Sequence, residues 1–545
     1  MSHSSNKNLN RRNFLSLFGA TTTLPLMQSP VQILIESILI GTAQKAHAEV
    51  FNYSPRKFLQ ILQNGAPSRW TYDLFLTPYD NTYIHNPYIG TKFTGSSTYT
   101  ETEYATVLKK GLNVPYLWQF NVPHANGSQR PMDQLLDNMV SLRGINVGNA
   151  DHGAAQELQF LPLGAGHSMS ALSADYSNAP IPAINCGNGQ YRFKSEKSKS
   201  FVALQSGGNL LTKLLNPFSR TTANSDFNTR RQSLGTALDA AIELLNTTSE
   251  NKHSGLSSTS NCLNAAKDLL SKGFGDLNST WNNLVAKYSL LISRSFDPNQ
   301  NLIGLNDKVV GGADVRNRRY ALNSDTNLVQ DADLRTMINL TTRIGQMAEN
   351  FAMAEYVLVN NLSSSISIAI GTINNLKIAG VQNSGQGLGF DEHEAGCMPT
   401  QYINSFYNLA YSACLLELID QLKLKNIFNE TVIVTGGEFG RNPRKDGFGS
   451  DHGYTGSSSA IYSGAITSPL VLGNIFKDRS PATAYSGTWG QGAPVAEIGK
   501  ELDLGHWAST IAFLLRVPTP VTASTSVLAL KNGVISPIIE KAKQV

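Results

Sequence analysis

The sequence predicts an α/β protein with a mostly parallel sheet that is covered by helices on both faces. Short apolar, β-branched runs lie near both ends of the chain, as at Phe58–Leu62 and Thr431–Thr435, and such runs are typical of buried parallel strands. Amphipathic helical patterns alternate with these runs, which favours helical layers on a parallel sheet. Hydrophobic residues make up 41% of the 545 residues and charged residues 15%. This is the composition of a core-forming chain and not of a disordered one.

The first 48 residues have the features of an export signal. Segment Asn10–Leu15 reads Asn-Arg-Arg-Asn-Phe-Leu and resembles a twin-arginine motif, and weakly apolar stretches follow at 14–27 and 31–40. Ala46–Ala48 has the small-x-small pattern that a signal peptidase accepts. We therefore predict cleavage after Ala48, the twin-arginine translocase as a partner during export, and a periplasmic or extracellular location. The alternative is an amphipathic N-terminal helix or a retained membrane anchor.

The charge of the chain argues against one class of partner. The net charge is +4, and residues 1–48 carry four basic residues and one acidic residue, so removing them lowers the charge by three, to +1. No basic stripe remains that would indicate binding to nucleic acid. No later segment has roughly 18 continuous apolar residues, so we expect no membrane span after processing.

The four cysteines do not indicate a zinc ribbon. Cys186, Cys262, Cys397 and Cys414 form no Cys-x-x-Cys pair, which such a site requires. In an oxidising compartment they would form up to two disulfides. Free buried thiols are an equally good interpretation.

Residues 49–200 are expected to form the first half of the α/β core. The strand Phe58–Leu62 runs into a cluster of helix and strand breakers at 64–68, and Asp73 follows shortly afterwards. A carboxylate just after a strand of an open α/β sheet is well placed for chemistry.

Further short elements follow in this half. A strand at 139–142 leads to the loop 149–153, which reads Asn-Ala-Asp-His-Gly, and 181–185 is another short apolar run. Between them, Ser168 and Ser170 lie in a Gly-rich turn.

Residues 201–355 are predicted to be a helical insertion. Apolar residues recur at helical spacing between 234 and 245, and again from 263 to 270 and, with Trp281 and Tyr288, from 281 to 292. Serine and asparagine cluster at the breaks, as in caps and turns. We interpret these stripes as core packing, in a helical layer or cap on the α/β core.

Residues 356–545 are expected to complete the core and to carry most of the site. The predicted elements are a helix over about 333–362, a strand at 365–370, a helix at 400–424, strands at 431–435 and 468–473, and a final helix at 506–515.

Carboxylates and imidazoles cluster beside predicted strand or helix ends in this second half. Asp391 and His393 lie in one acidic group, Glu438 comes directly after the strand 431–435, and a Gly-rich loop then leads to Asp451 and His452. Carboxylate oxygen and imidazole nitrogen are the ligands of divalent metal ions. The predicted metal ligands are Asp73, Asp391, His393, Glu438, Asp451 and His452. The sequence does not distinguish between Zn²⁺, Mn²⁺, Ca²⁺ and Mg²⁺ as the bound ion.

These motifs resemble those of a family of exported bacterial proteins called domain of unknown function 1501. The family's Ser-Glu-Phe-Gly-Arg-Thr-Pro is matched by Gly437–Pro443, with Gly for Ser and Asn for Thr, and its Asp-His by Asp451 and His452. Its upstream Asp-Thr-His is matched by Asp391–His393, and its N-terminal Gly-Gly-Pro-Ser by Gly65–Ser68. The family's C-terminal Asp-Leu, Thr-Ile and Leu-Leu pairs are also present between 503 and 515. The resemblance fades between about 190 and 340.

The resemblance places the chain in the alkaline phosphatase–sulfatase superfamily. It implies one or two divalent ions held at strand ends, with Asp73 and Glu438 at one position and Asp391, His393 and His452 at the other. It also implies an alkoxide nucleophile that attacks phosphorus or sulfur. Two features depart from the superfamily pattern: Phe439 stands where an imidazole ligand is usual, and no sulfatase-type Cys-x-Pro-x-Arg is present.

Three further residues are candidates for catalytic roles under this resemblance. Ser168 and Ser170 lie where the superfamily's nucleophile would be expected, and each has the alternative of being an ordinary loop serine. Arg441 would either bind an oxyanion or pair with Asp451.

Two functions follow as expectations. The first is an exported metal-dependent hydrolase that acts on an anionic phosphate or sulfate ester. The second is a non-catalytic periplasmic or envelope protein that keeps the fold with a degenerate metal site.

Overall fold

A computed structural model gives the fold. It describes residues 55–75, 106–205, 208–215, 235–237, 239–243, 277–296, 344–371, 390–391, 397–443, 450–476, 490–540, 542, 543 and 545, and four two-residue strands between 85 and 103. The predicted signal segment 1–48 lies outside the described residues.

An eight-stranded sheet forms the centre of the described protein. Its strands in chain order are β1 (Lys57–Gln63), β2 (Met139–Ile145), β3 (Ala183–Cys186), β4 (Phe201–Leu204), β5 (Ser365–Ile370), β6 (Thr431–Gly437), β7 (Ser457–Tyr462) and β8 (Leu470–Leu472). Their order across the sheet is β4-β3-β5-β1-β6-β7-β2-β8. Strand β7 runs antiparallel to β6 and β2, and the other neighbouring pairs are parallel. The predicted mostly parallel sheet is therefore confirmed.

The central strand β1 fixes where the strand ends lie. Leu62 of β1 is opposite Ala369 of β5 on one side and Gly436 of β6 on the other. The carboxyl ends of these three strands therefore meet at one edge of the sheet, as the sequence predicted. This edge carries the candidate site described below.

Helices cover the sheet. They are α1 (Arg69–Tyr72), α2 (His152–Phe160), α3 (Met169–Tyr176), α4 (Leu210–Leu215), α5 (Leu277–Arg294), α6 (Gly345–Val359), α7 (Cys397–Leu424) and α8 (Leu504–Leu515). Short 3₁₀ helices lie at Tyr116–Gln119, Met132–Asn138 and Phe428–Glu430.

The alternation of side chains along the strands separates two cores. Leu59 and Ile61 of β1 belong to the core that α5, α6 and α7 cover, whereas Phe58 belongs to the core that α3 and α8 cover. On β6, Ile433 likewise lies in the first core and Val432 in the second. Successive strand residues point to opposite faces, so buried apolar residues at neighbouring positions mean that both faces of the sheet are buried.

Seven antiparallel pairs of short strands lie outside the central sheet in the described part of the chain. They pair His85–Asn86 with Thr102–Glu103, Lys92–Phe93 with Tyr99–Thr100, Thr106–Lys109 with Leu112–Pro115, Asn121–Pro123 with Gln129–Pro131, Gly440–Pro443 with Ser450–Gly453, Asn474–Ile475 with Gly492–Ala493, and Leu528–Lys531 with Val534–Pro537.

The segment predicted as a helical insertion, 201–355, is not wholly helical. Its first residues form β4, which pairs in parallel with β3 at the edge of the sheet. Helices α4 and α5 and most of α6 also come from this segment, and α6 packs on β5. Residues 216–234, 244–276 and 297–343 lie outside the described residues.

Two of the four cysteines are described with their side chains. Cys186 and Cys414 are buried free thiols, and the side chains of Cys262 and Cys397 lie outside the described residues. Within the described part of the chain, no helix has both the length and the apolar character that a membrane crossing needs.

Candidate metal centre

The turn after β1 forms one wall of the site. Gly65 has φ of +93°, and a Cβ at this position would lie 2.6 Å from the backbone nitrogen of Asp391. Only glycine combines this conformation with so close an approach. The turn therefore brings Asp391, which is distant in sequence, to the carboxyl edge of the sheet.

Glu438 follows β6 directly, and its side chain is fully buried. Its Oε1 accepts hydrogen bonds from the backbone N–H of Gly65, at 2.9 Å, and from Nε2 of Gln156. Its Oε2 contacts Nδ1 of His152. Buried carboxylates need such partners, and here protein groups supply them on both oxygens.

His152 is the first residue of α2. The helix begins there because the side chain of Asp151 caps it, with Oδ1 accepting from the backbone N–H of Ala154 at 2.9 Å. While Nδ1 of His152 contacts Glu438, Nε2 lies 3.5 Å from Oδ1 of Asp391. Hydrogen bonding to Asp391 and then to Glu438 raises the pKa of His152 to about 9, and partial burial opposes this rise.

His452 comes from the short hairpin that follows Glu438. Strand Ser450–Gly453 pairs with Gly440–Pro443, which places His452 opposite Arg441. Nδ1 of His452 contacts the backbone carbonyl of Ala150. The ring of His452 meets that of His152 edge-on, with centroids 4.8 Å apart.

Phe439 packs against both imidazoles. Its ring centroid is 4.3 Å from that of His452 and 4.9 Å from that of His152. The phenyl ring therefore supports two imidazoles that come from distant parts of the chain.

His152, Asp391 and His452 form a group that fits a metal ion. Each offers one ring nitrogen or carboxylate oxygen, and these three atoms lie within 4.8 Å of one another. Both histidines direct Nδ1 at an oxygen acceptor, so each neutral ring carries its proton on Nδ1 and keeps the lone pair on Nε2. Metal-binding histidines have this arrangement almost always. The side chain of Asp391 is 47% exposed, so the group opens to solvent.

Arg441 supports the group from within the protein. Its side chain is fully buried, and its Nη2 donates to the carbonyl of Gly65, at 2.7 Å, and to Oδ1 of Asp391, at 2.6 Å. Its Nε donates to the carbonyl of Ala66. The described carboxylate that Arg441 contacts is that of Asp391, and the predicted pairing of Arg441 with Asp451 stays untested. The side chain of Asp451 lies outside the described residues.

Two predicted ligands lie outside this group. Glu438 contacts Nδ1 of His152, so it is a partner of a candidate ligand and is not itself in the group. Asp73 ends α1 and is buried among Tyr72, Tyr411 and Tyr462, and this burial raises the pKa of Asp73 to about 7, although Arg69 lowers it. The group that fits a metal ion therefore includes neither Asp73 nor Glu438, and a second metal position at these two residues stays a prediction. His393 lies outside the described residues.

The two predicted nucleophiles are buried. Ser168 caps the start of α3, and its Oγ accepts from the backbone N–H of Lys194 at 3.1 Å. Ser170 is 1% exposed and lies beside Tyr191. Among the described residues, neither serine is exposed to a substrate in solvent.

Sequence reasoning noted the loop that carries His152 without assigning the residue to the site. A signal was available: Asp151 and His152 follow strand β2 as an Asp-His pair, as Asp451 and His452 follow β6. Gln156 gave no such signal, because only the fold shows that it faces Glu438.

A second group of one histidine and two carboxylates joins α7, which carries Glu417 and Asp420, to His124. Ligand atoms of His124, Glu417 and Asp420 also lie within 4.8 Å of one another. Here Nδ1 of His124 accepts from the backbone N–H of Asn126 at 3.1 Å, so the proton of the neutral ring is on Nε2. This nitrogen lies 3.4 Å from Oδ2 of Asp420.

Fold and site together define an α/β protein with a candidate metal centre at the carboxyl edge of a mostly parallel sheet. Residues 375–482 match the family described as "Protein of unknown function (DUF1501)". The match covers about a fifth of the chain and supports the family resemblance over that range. It includes Asp391 and His452 and excludes His152.

Other comparisons add little. No curated protein matches the chain. One solved structure, "Crystal structure of Ps i-CgsB in complex with k-i-k-neocarrahexaose", covers 86% of this chain and 73% of its own chain at 10% identity, with a TM-score of 0.29. At that TM-score the likeness carries no argument about fold or ligand.

Proposed function

We propose that the protein is an exported, metal-dependent hydrolase of phosphate or sulfate esters, with an alkaline phosphatase–sulfatase type of fold. The observation that carries the proposal is the group of His152, Asp391 and His452. Its ligand atoms lie within 4.8 Å of one another, and both imidazoles direct Nδ1 at protein oxygens.

The number of ligands favours a catalytic ion over a structural one. Three protein ligands leave at least one coordination position for water or substrate, whereas structural zinc sites are closed by four. The partial exposure of Asp391 supports access from solvent. A bound divalent ion would activate water and polarise the ester oxygen.

The ligand atoms favour particular ions. Two imidazole nitrogens and one carboxylate suit Zn²⁺ or Mn²⁺, whereas Ca²⁺ and Mg²⁺ prefer oxygen ligands. Although all four ions were open from the sequence, the described ligands narrow the proposal to the first two.

The residues around the group would keep it in position. Glu438 fixes the ring of His152, and Arg441 holds Asp391 while balancing its charge. Because Ser168 and Ser170 are buried, the proposed nucleophile is a water molecule at the open side of the group. The positive charge of the ion would attract an anionic ester.

A second candidate function is a non-catalytic periplasmic or envelope protein with the same fold. The burial of both predicted nucleophilic serines favours it. On this reading the ion stabilises the folded protein by binding only that state.

Metal analysis and an activity screen separate the two functions. The mature protein, loaded with Zn²⁺ or Mn²⁺ and dialysed, is expected to hold about one ion per chain and to hydrolyse members of a panel of phosphomonoesters, phosphodiesters and sulfate esters. One bound ion without hydrolysis of any panel member would favour the non-catalytic protein. If the protein binds no ion, the proposal of a metal-dependent hydrolase is wrong.

The proposed export is tested separately. Replacing Arg11 and Arg12 by lysine is expected to leave the precursor in the cytoplasm, because the twin-arginine translocase would no longer recognise the signal. A normal periplasmic yield of this double variant would refute the twin-arginine route.

A further inference from the structure

The two oxygens of Glu438 are used differently. Oε1 accepts two hydrogen bonds, one from the backbone N–H of Gly65 and one from the side-chain amide of Gln156. Oε2 is left to contact Nδ1 of His152. The carboxylate is fully buried. The rotation of its plane therefore determines whether Oε2 stays in contact with Nδ1 of His152.

Helix α2 presents both side chains to this carboxylate. His152 and Gln156 are four residues apart and so lie on the same face of the helix, one turn after the other. Three residues further on, Nε2 of Gln159 donates to the backbone carbonyl of Glu438 at 3.2 Å. The carbonyl of Gln159 in turn accepts from Gln60 of β1 at 3.0 Å. The helix is therefore held at the sheet edge by amide hydrogen bonds.

An amide at position 156 has a specific advantage. The last torsion of a glutamate side chain is broad and roughly two-fold, so the Gly65 N–H alone leaves the carboxylate free to tilt. A second, uncharged donor on Oε1 fixes the plane without adding a cation that would compete with the imidazole for the carboxylate charge. Oε2 is then held at the position that Nδ1 requires.

We propose that Gln156 is a positioning residue, which fixes the carboxylate of Glu438 and through it the ring of His152. The effect on metal binding rests on the proposed function of the site. Outer partners of ligating histidines typically change metal affinity about 10-fold to 100-fold when removed.

The test compares Gln156→Met with a matched control. Methionine keeps the length of the side chain and lacks the donor. The control is Gln421→Met on α7, because Nε2 of Gln421 also donates to a glutamate oxygen, Oε1 of Glu417, at 2.9 Å. In Gln156→Met the affinity for Zn²⁺ is expected to fall about tenfold or more, and in Gln421→Met it is expected to stay within about twofold.

Two spectroscopic measurements distinguish positioning from stability. Gln156→Met is expected to change the visible absorption spectrum of the Co²⁺-loaded protein. It is also expected to weaken the Nδ1–H proton resonance of His152 in the Zn²⁺-loaded protein through faster exchange. A merely structural role would lower thermal stability and leave both spectra unchanged.

A second variant covers the case in which Gln156→Met does not fold. Gln156→Glu keeps the shape and replaces the donor by an acceptor, so it is expected to weaken Zn²⁺ binding further. If His152→Ala abolishes Zn²⁺ binding while both Gln156 variants bind like wild type with unchanged spectra, the positioning role is refuted and the metal centre stands. If His152→Ala binds Zn²⁺ like wild type, the metal centre itself is refuted.

Discussion

The two histidine–carboxylate groups among the described residues hold their ligand atoms within the same 4.8 Å, but they differ in what holds the imidazole. At the sheet edge, His152 and His452 both direct Nδ1 at an oxygen. At the helix α7 group, Nδ1 of His124 receives a backbone N–H. In the neutral ring, the first arrangement leaves a lone pair on Nε2 for a ligand, whereas the second places a proton there.

The carboxylates of both groups have cationic partners, since Asp391 at the sheet edge contacts Arg441. Asp420 contacts Arg130, and Oε1 of Glu417 lies 3.4 Å from Nζ of Lys287. These contacts make the α7 group part of an ion-pair network that ties a surface hairpin and α5 to α7. Residue types and distances alone do not distinguish a candidate metal centre from such a network. The hydrogen bond at Nδ1 does, because its direction determines which ring nitrogen carries the proton.

The largest expected difference is in metal affinity on loss of one imidazole. His152→Ala is expected to lower the affinity for Zn²⁺ by at least about 100-fold, because it removes a ligand from a three-ligand group. His124→Ala is expected to change it by less than about twofold. Isothermal titration calorimetry of both variants is the measurement. The opposite order would reverse the assignment of the two groups.

The pH dependence of binding gives the next largest effect. With its pKa raised to about 9, His152 carries a proton at neutral pH that the ion must displace. The affinity for Zn²⁺ is expected to rise by about tenfold per pH unit from pH 6 and to level off near pH 9. Competition with a chelator of known affinity at each pH measures this. A flat profile would show that His152 is not a ligand.

A smaller change is expected from the turn that carries Gly65. In Gly65→Ala the new Cβ would press on Asp391, so the affinity for Zn²⁺ is expected to fall roughly threefold to tenfold, as for other changes behind a ligand. The matched control is Gly111→Ala, because Gly111 also has positive φ, +79°, and nothing lies within 4 Å of its Cβ position. Gly111→Ala is expected to lower the free energy of unfolding by about 1 kcal/mol and to leave the affinity for Zn²⁺ unchanged. Equal affinities in the two variants would contradict the close approach.

The smallest effect on metal affinity is expected at Asp73. Its pKa of about 7, raised by burial from 3.8, means that the folded protein keeps a proton that the unfolded chain has lost. The contribution of Asp73 to stability is therefore greatest below about pH 4 and is lost as the pH rises to about 7. Asp73→Asn is expected to raise the free energy of unfolding at pH 8 by on the order of 1–4 kcal/mol and to leave Zn²⁺ affinity unchanged. Denaturant titrations at pH 5 and pH 8 test the first part, and a loss of affinity would restore Asp73 as a ligand.

Much of the fold could be predicted from local sequence. The strand predicted at 365–370 has those bounds in the structure, and the apolar run at 431–435 forms most of β6, because β-branched residues buried on both faces leave a clear pattern. Strand β4 was missed since four residues at a sheet edge give too short a pattern to distinguish from a loop.

The site was less predictable because it depends on contacts between distant segments. Asp391 and His452 stood out as acidic–histidine groups beside predicted strand or helix ends. The partnership of His152 with Glu438 depends on α2 folding back onto the end of β6, 286 residues further along the chain, and no local pattern encodes that. The metal ligands themselves stay a prediction.

The central position of β1 has a consequence for how the protein is made. Phe58 pairs with Ser365 and Lys57 with Thr431, so neither edge of β1 can be closed until more than 300 further residues have left the ribosome. During that time the backbone N–H and C=O groups on both edges of β1 have no strand partner, and such edges are a ready template for aggregation. Closing such long loops is also slow. We therefore expect the nascent chain to depend on chaperones until β6 is synthesised, and truncations that end before residue 431 to be insoluble.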